Sequence, residues 1–251
     1  MGKADFSAVA VIPARLASSR FPRKALALIC GEPMIVHVVR RALESEFLSE
    51  VLVATDDREI AAAGEQAGAL AVMTGECASG TDRVAEAALG RSNWDLLINV
   101  QGDEPLLSAK NIDVLIEGMS AHPEIGMGTL CRPLDPTHFE DSNIVKLVRR
   151  ADGRALYFSR AGIPFFREGQ RAPAMLRKHL GIYAYRRAAL EAFIALGPSL
   201  LEEAEKLEQL RALEAGMDIV VFDAPDEAFG VDTEEDLKIV ENLMRERRPG
   251  C

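Results

Sequence analysis

Nearly continuous apolar runs of strand length alternate with stretches of helical period through the first half of the chain. The runs are Ser7 to Ala14, Glu50 to Thr55, Ala69 to Thr74 and Asp95 to Gln101. Each is rich in Val, Ile, Leu and Ala and lacks the in–out alternation of a half-solvated strand, so each predicts a strand covered on both faces. Between the first two, Pro33 opens a helix whose apolar stripe is Ile35, Val38, Val39 and Ala42. Proline suits a first helical turn, where the N–H it lacks would have no partner. Residues 56–68 and 81–89 predict two more helices, and Ser108 is placed to cap a fourth that ends near Ala121. Strand, helix, strand, helix implies right-handed crossovers and a mostly parallel α/β sheet with helices on both faces.

The second half changes rhythm. Residues 126–132, 143–150 and 154–160 read as strands, with Ala151-Asp152-Gly153 as a hairpin turn between the last two, and 181–186 reads as one more. Helices are expected at about 187–196 and, without interruption, from Leu200 to a closing Gly216. A strand at 218–222 precedes a final helix, at whose start Thr233 and Asp236 have capping-box spacing. No internal repeat, low-complexity segment or linker is visible. The expectation is a single domain, residues 1–251, with a mixed or antiparallel insertion at about 133–182.

Composition narrows the function classes. The 251 residues are 48% hydrophobic and 27% charged, which is globular. Lys plus Arg number 29 against 39 Asp plus Glu, a net charge of −10, and the cations form no stripe of the kind duplex binding needs. No apolar run approaches the ~20 residues of a spanning helix. Neither nucleic acid nor a membrane is therefore an expected partner. The first residues do not read as a secretory signal, and Cys30, Cys77, Cys131 and Cys251 are far apart with no C-x-x-C pair. That favours a cytoplasmic protein and argues against a zinc site or a disulfide framework.

Chemistry concentrates where strands end. In open α/β sheets ligands bind at the carboxyl ends of strands, and there the first loop, residues 13–24, crowds Arg15, Arg20, Arg23 and Lys24 with Ser18 and Ser19 into an acidic protein. Cations and donors together suit a triphosphate; a solvated surface loop is the alternative. It is neither G-x-x-x-x-G-K-[ST] nor G-x-G-x-x-G, which counts against P-loop kinases and dinucleotide dehydrogenases. Asp103 follows the fourth strand, and Mg²⁺ is held by one or two carboxylates plus substrate phosphates, so Asp103 is the first candidate metal ligand. Asp232 precedes the last helix and joins it only if the two meet. Residues 78–83, Ala-Ser-Gly-Thr-Asp-Arg, enter a helix and could hold a base or phosphate, with an ordinary capped helix as the equal alternative. Arg160, His179 and Tyr183 would converge if their strands pair, a set that fits a polyhydroxylated acid. Each alone is an ordinary structural residue. Glu208 interrupts an apolar helix face, where solvated charge is the equal alternative.

The segments PARLASSRFPRKAL, VATDD, ASGTDR, VQGDEP, YFSRAGIP, HLGIYAY, LEQLRALEAG and GVDTEEDL, in that order from about residue 9 to 240, resemble the motifs of the 3-deoxy-manno-octulosonate (Kdo) cytidylyltransferases. The resemblance implies a Rossmann-like sheet of the nucleotidyltransferase type and a cytoplasmic homodimer. The implied reaction is CTP plus Kdo giving CMP-Kdo and pyrophosphate with Mg²⁺, a step of lipopolysaccharide synthesis. It implies a nucleotide-binding set of Pro13, Ala14, Arg15, Ser19, Arg20, Lys24, Ser79, Gly80, Thr81, Arg83 and Gln101. Arg15, Lys24, Asp103 and Asp232 are the implied catalytic group, with Asp103 and Asp232 as metal ligands. Arg160, His179, Tyr183, Glu208 and Gln209 are the implied sugar pocket, with Arg160 on the sugar carboxylate. One departure stands out: the family loop usually reads Pro-Gly-Lys, and here Arg23 replaces the glycine, so a left-handed conformation there would be strained. Arg23 offers an additional phosphate contact in exchange. The competing readings are a cytidylyltransferase for a related acid, either the 8-amino Kdo analogue or sialic acid, and a non-catalytic nucleotide-binding module.

Overall fold

Val9 to Ile12 have no exposed surface at all, because β1 (Ala8–Ala14) has a parallel strand on each side and helices over its faces. The computed structural model describes residues 7–16, 21–91, 94–169 and 173–247. The chain divides into two units, one of residues up to Asp113 together with those from Asp226 on, the other Val114–Pro225. From β1 the chain continues through β2 (Leu28–Ile29), β3 (Glu32–Pro33), α1 (Met34–Leu43), β4 (Leu48–Thr55), α2 (Arg58–Gln66), β5 (Leu70–Met73), α3 (Gly80–Leu89), β6 (Leu96–Asn99) and α4 (Ala109–Ala121). It goes on through β7 (Met127–Pro133), β8 (Lys146–Arg149), β9 (Ala155–Ser159), β10 (Arg177–Tyr185), α5 (Arg187–Ala195), α6 (Leu200–Glu205), α7 (Gln209–Glu214) and β11 (Ile219–Asp223), and ends in α8 (Glu234–Arg247).

In the first unit the strands lie parallel in the order β6-β1-β4-β5. The α1 stripe expected from the sequence is buried, with Ile35, Val38, Val39 and Ala42 all unexposed. Asp57 caps α2 through Oδ1, which accepts from the N–H groups of Glu59 and Ile60. α8 packs on this unit through Val240 and Met244, which join Val231 just ahead of the helix in a cluster with Ile29, Met34 and Leu106. Its start is the expected capping box with aspartate in the third position: Asp236 Oδ2 accepts from Thr233 N, and Thr233 Oγ1 accepts from Asp236 N.

The second unit is a mixed sheet. β7 pairs antiparallel with β10 and parallel with β11, and β8 bridges β10 and β9. The expected insertion at 133–182 lies inside this unit.

Three elements differ from the sequence reading. β10 starts at Arg177, earlier than the 181 expected, because Arg177, Lys178 and His179 hide the strand behind polar side chains while their backbones still pair with β7. The helix expected from Leu200 to Gly216 is two helices: Lys206 takes a left-handed conformation (φ 54°, ψ 47°) and ends α6, and buried Leu207 leads into α7. Helical period survives such a break, so the sequence could not show it. Ser108 stands just ahead of α4, but its hydroxyl donates to Asp226 Oδ2 at 2.6 Å.

No helix among the described residues is long and apolar enough to cross a membrane. Cys77 and Cys131 are free, whereas Cys30 is disulfide-bonded, contrary to the expectation from spacing. Separation along the chain does not report distance in space.

Candidate functional site

The topology itself opens a crevice. From β1 the chain moves outward to β4 and β5, then returns to the other side of β1 as β6. The loops leaving β1 and β6 therefore part in opposite directions, and the gap between them is where an open α/β sheet binds its ligand. A cavity of about 330 Å³ lies there, lined by Pro13, Ala14, Arg15, Lys24, Ser79, Gly80, Arg83, Gln101, Asp103 and Asp232. Ten of the residues singled out from sequence thus share one cavity. Gly102 lets the two loops approach: a Cβ there would stand 2.8 Å from the carbonyl oxygen of Pro13, closer than any side chain tolerates.

Lys24 is the centre of the arrangement. Its Nζ donates to Asp103 Oδ2 at 2.6 Å and to Asp232 Oδ1 at 3.2 Å. The two carboxylates are 129 positions apart (232 − 103) and meet for two reasons. The apolar face of α8 docks beside Ile29 and Met34, and Val231 N donates to the Asp103 carbonyl at 2.9 Å. Among the described residues no group of three or more His, Cys, Asp or Glu forms a cage. Two carboxylates already gathered around one cation, on an open cavity wall, are a donor set that fits a magnesium ion completing its shell with substrate phosphates and water.

Arg83, 4% exposed, also lines the cavity. Its Nη2 donates to Asp56 Oδ2 at 2.8 Å and its Nη1 to Thr74 Oγ1. Asp56 and Thr74 were not singled out; their positions at the ends of β4 and β5 were the available signal. Ser79 caps α3, its Oγ accepting from Asp82 N at 3.1 Å.

Some expectations fall elsewhere. Ser19 and Arg20 lie outside the described residues. Thr81 does not line the cavity; it is 2% exposed and its Oγ1 accepts from Asn99 Nδ2. Arg23 is left-handed (φ 58°, ψ 27°), as replacing a glycine would require. Its guanidinium turns to Glu59 Oε2 at 2.5 Å and is not among the cavity-lining residues. Ala78, the first residue of the expected 78–83 segment, lines the wall beside Ser79, as does Cys77, which the sequence reading did not connect with a ligand. Burial and Glu86 push the Cys77 thiol up to about 11, so it is no nucleophile at neutral pH.

In the second unit, His179 and Tyr183 lie on β10 with ring centroids 5.3 Å apart. Between them the register shifts, Leu180 standing opposite Leu130 and Tyr183 opposite Thr129, so that Gly181 and Ile182 form a bulge that re-aims the side chains. Burial depresses His179 to about 3, so the imidazole is neutral at neutral pH. Thr129 Oγ1 has one hydrogen, and carbonyl oxygens of Ile182 and Leu180 lie 2.8 and 3.2 Å from it. The remaining 2.9 Å contact, to His179 Nε2, then needs the ring as donor. Nδ1 is left as an acceptor. Gln209 is 5% exposed, and its Nε2 is a buried amide donor with no hydrogen-bond partner among the described residues. Such a group is characteristic of a site that receives a polar ligand. Tyr183 is held well above its usual range by burial, with Glu208 and Tyr185 adding to it, so it stays a phenol. Arg160 Nε donates to the Glu205 carbonyl at 2.8 Å and its Nη1 to the Ser142 carbonyl at 3.0 Å. Arg211, beside Gln209, is structural: it grips both oxygens of Glu202 at 2.8 and 2.6 Å.

A parallel sheet with cations and paired carboxylates at its switch point defines an α/β enzyme of the nucleotidyltransferase class. A family model described as cytidylyltransferase matches residues 9–219, and the chain belongs to that family. A 3-deoxy-manno-octulosonate cytidylyltransferase of Acidobacterium capsulatum is 48% identical over 97% of this chain and 99% of its own length. The protein of the same name from Myxococcus xanthus is 49% identical over 95% of this chain and 97% of its own. A solved structure described as CMP:2-keto-3-deoxy-manno-octonic acid synthetase complexed with CTP superposes with a TM-score of 0.91 at 42% identity. It covers 96% of this chain and 99% of that one. A 4-diphosphocytidyl-2C-methyl-D-erythritol synthase from Anaerococcus prevotii shares the fold alone, at 11% identity and a TM-score of 0.65.

Proposed function

We propose that the chain transfers CMP from CTP to Kdo, releasing pyrophosphate and forming the activated sugar used for lipopolysaccharide. The observation that carries the site reading is Lys24 held between Asp103 and Asp232 in a cavity that Arg15 and Arg83 also line. The Kdo hydroxyl at the anomeric carbon attacks the α-phosphorus of CTP. The new O–P bond forms as the bond to pyrophosphate breaks, and the hydroxyl proton leaves. Such a transfer asks the protein for positioning and charge neutralisation more than for covalent chemistry.

Lys24 and Arg15 neutralise the triphosphate and the departing pyrophosphate. Ser79, Gly80, Arg83 and Gln101 receive the cytidine. Asp103 and Asp232 would hold Mg²⁺, which when bound withdraws charge from the phosphates and lowers the pKa of the attacking hydroxyl. Arg160 takes the sugar carboxylate, for which a planar guanidinium offers two parallel donors. The neutral His179 accepts from a sugar hydroxyl through Nδ1, while Gln209 Nε2 donates to one; Tyr183 and Glu208 complete the sugar set. The protein works in the cytoplasm as a homodimer. Exposed apolar side chains of the second unit, Phe165 at 87% and Leu200 at 81%, are of the kind a second copy covers.

Pyrophosphate release, measured with CTP and a panel of Kdo, its 8-amino analogue and sialic acid, tests the reading. Release with Kdo at the highest kcat/KM is expected. CTP binding by calorimetry without release for any acid would establish a non-catalytic module instead.

A further inference from the structure

Lys146 is buried with no exposed surface. A buried ammonium is costly unless its hydrogens are all engaged. Here the three are spent on carbonyl oxygens: Asp141 at 2.8 Å, Ile144 at 2.7 Å, and Arg160. The lysine thus ties the 141–144 loop to residue 160. Glu205 closes on the same residue from the other side. Its Oε2 accepts from the Arg160 main-chain N–H at 2.9 Å and its Oε1 from Ser159 Oγ at 2.6 Å. Its own carbonyl is freed from the helix ladder because Lys206 turns left-handed, and it accepts from Arg160 Nε.

The main chain of residue 160 is therefore held at its N–H by Glu205 and at its C=O by Lys146. The guanidinium is aimed by two neutral carbonyls, those of Glu205 and Ser142. Carbonyl oxygens orient a guanidinium without cancelling its charge, and the Nη2 side of the fork lies outside these contacts. The Glu205 carboxylate is engaged with the main chain and Ser159, not with that fork. Resting on the reading of Arg160 as the carboxylate partner, we infer that Lys146 and Glu205 are positioning residues for the sugar acid. They fix Arg160 in the orientation that makes a two-pronged bond to the carboxylate. Bidentate recognition loses strength with small misplacements, so the support matters as much as the cation.

Glu205→Ala carries the test, because alanine is a good helix former at the end of α6, whereas Lys146→Met strips three carbonyls of their donor and is expected to destabilise the unit. Steady-state kinetics on the full chain with Kdo and with its methyl ester gives the readout. For Glu205→Ala the Kdo KM should rise roughly ten-fold while the CTP KM stays within about two-fold. The preference for the acid over the ester should fall with it. Glu205→Gln can still accept from Arg160 N while its amide donates to Ser159 Oγ, so it should recover most of the loss. Equal rises in both KM values overturn the inference. So does an unchanged acid-to-ester preference in Glu205→Ala when Arg160→Ala abolishes that preference. An unchanged preference in Arg160→Ala itself overturns the reading of Arg160 on which the inference rests.

Discussion

Replacing Lys24 by methionine should move metal binding and turnover in opposite directions. In the nucleotide-free protein the ammonium occupies the position a divalent cation needs, 2.6 Å from Asp103 and 3.2 Å from Asp232. At an effective dielectric of about 20 those separations correspond to gross attractions of about 6 and 5 kcal/mol. Solvent cuts both severely, since the Asp103 side chain is 33% and the Asp232 side chain 53% exposed. Exposed pairs are worth about 1 kcal/mol or less each, so displacing the ammonium costs an ion roughly 1–2 kcal/mol in total. Lys24→Met removes that cost while keeping the stem's packing. Mn²⁺ or Mg²⁺ should therefore bind the nucleotide-free variant about 5- to 30-fold more tightly. Turnover should fall about 10²–10³-fold, because the transferring phosphoryl group loses a preorganised cation. Titration calorimetry of the metal into nucleotide-free protein, beside pyrophosphate release at saturating CTP and Kdo, measures both. Unchanged or weaker metal affinity in a variant of unchanged Tm would refute the idea that lysine and metal share the two carboxylates.

Asp103→Asn should remove most turnover at any Mg²⁺ concentration while Tm shifts by only a few degrees, since a half-exposed ion pair contributes little to stability; undiminished pyrophosphate release would exclude it as a ligand. Asp56→Asn leaves the buried Arg83 guanidinium without its counter-charge. It should cost about 1–2 kcal/mol in urea unfolding and raise the CTP KM more than the Kdo KM, so an effect confined to stability would separate Arg83 from nucleotide binding. His179 has a folded pKa of about 3 against 6.5 for the free imidazole. Below pH 6.5 the unfolded chain binds a proton the folded chain refuses, so this contribution to stability is whole above pH 6.5. It is lost as pH falls toward 3, by at most ~1.4 kcal/mol per pH unit. Denaturation of His179→Gln at pH 7 and pH 5 should show a shallower decline than the parent, and parallel declines would mean the imidazole titrates normally.

The first unit was largely legible because its information is local. Strands buried on both faces read as unbroken apolar runs, and an amphipathic helix such as α1 repeats at 3.6 residues. A cation-rich loop after one strand and an aspartate after another likewise announce a ligand crevice before any geometry is known. The second unit was harder. β10 is partly polar, and its side-chain direction depends on a bulge at Gly181–Ile182 that no pattern in the strand reveals. The helix break at Lys206 is a single residue's left-handed conformation inside a stretch of uninterrupted helical period.

By itself the sequence determined the alternation of elements, the capping box of α8, the surplus of cations in the opening loop and the candidates Asp103 and Asp232. Only the tertiary structure decided that those two carboxylates meet at Lys24. It also decided that Arg23 turns to Glu59, that Arg83 is clamped by Asp56 and Thr74, and that Lys146 spends its charge on the backbone around Arg160. Helix and strand periods are written within a few neighbouring residues. Which charge faces which depends on how α8 packs, where a strand bulges and where a helix stops, and those are set by contacts between residues far apart in the chain.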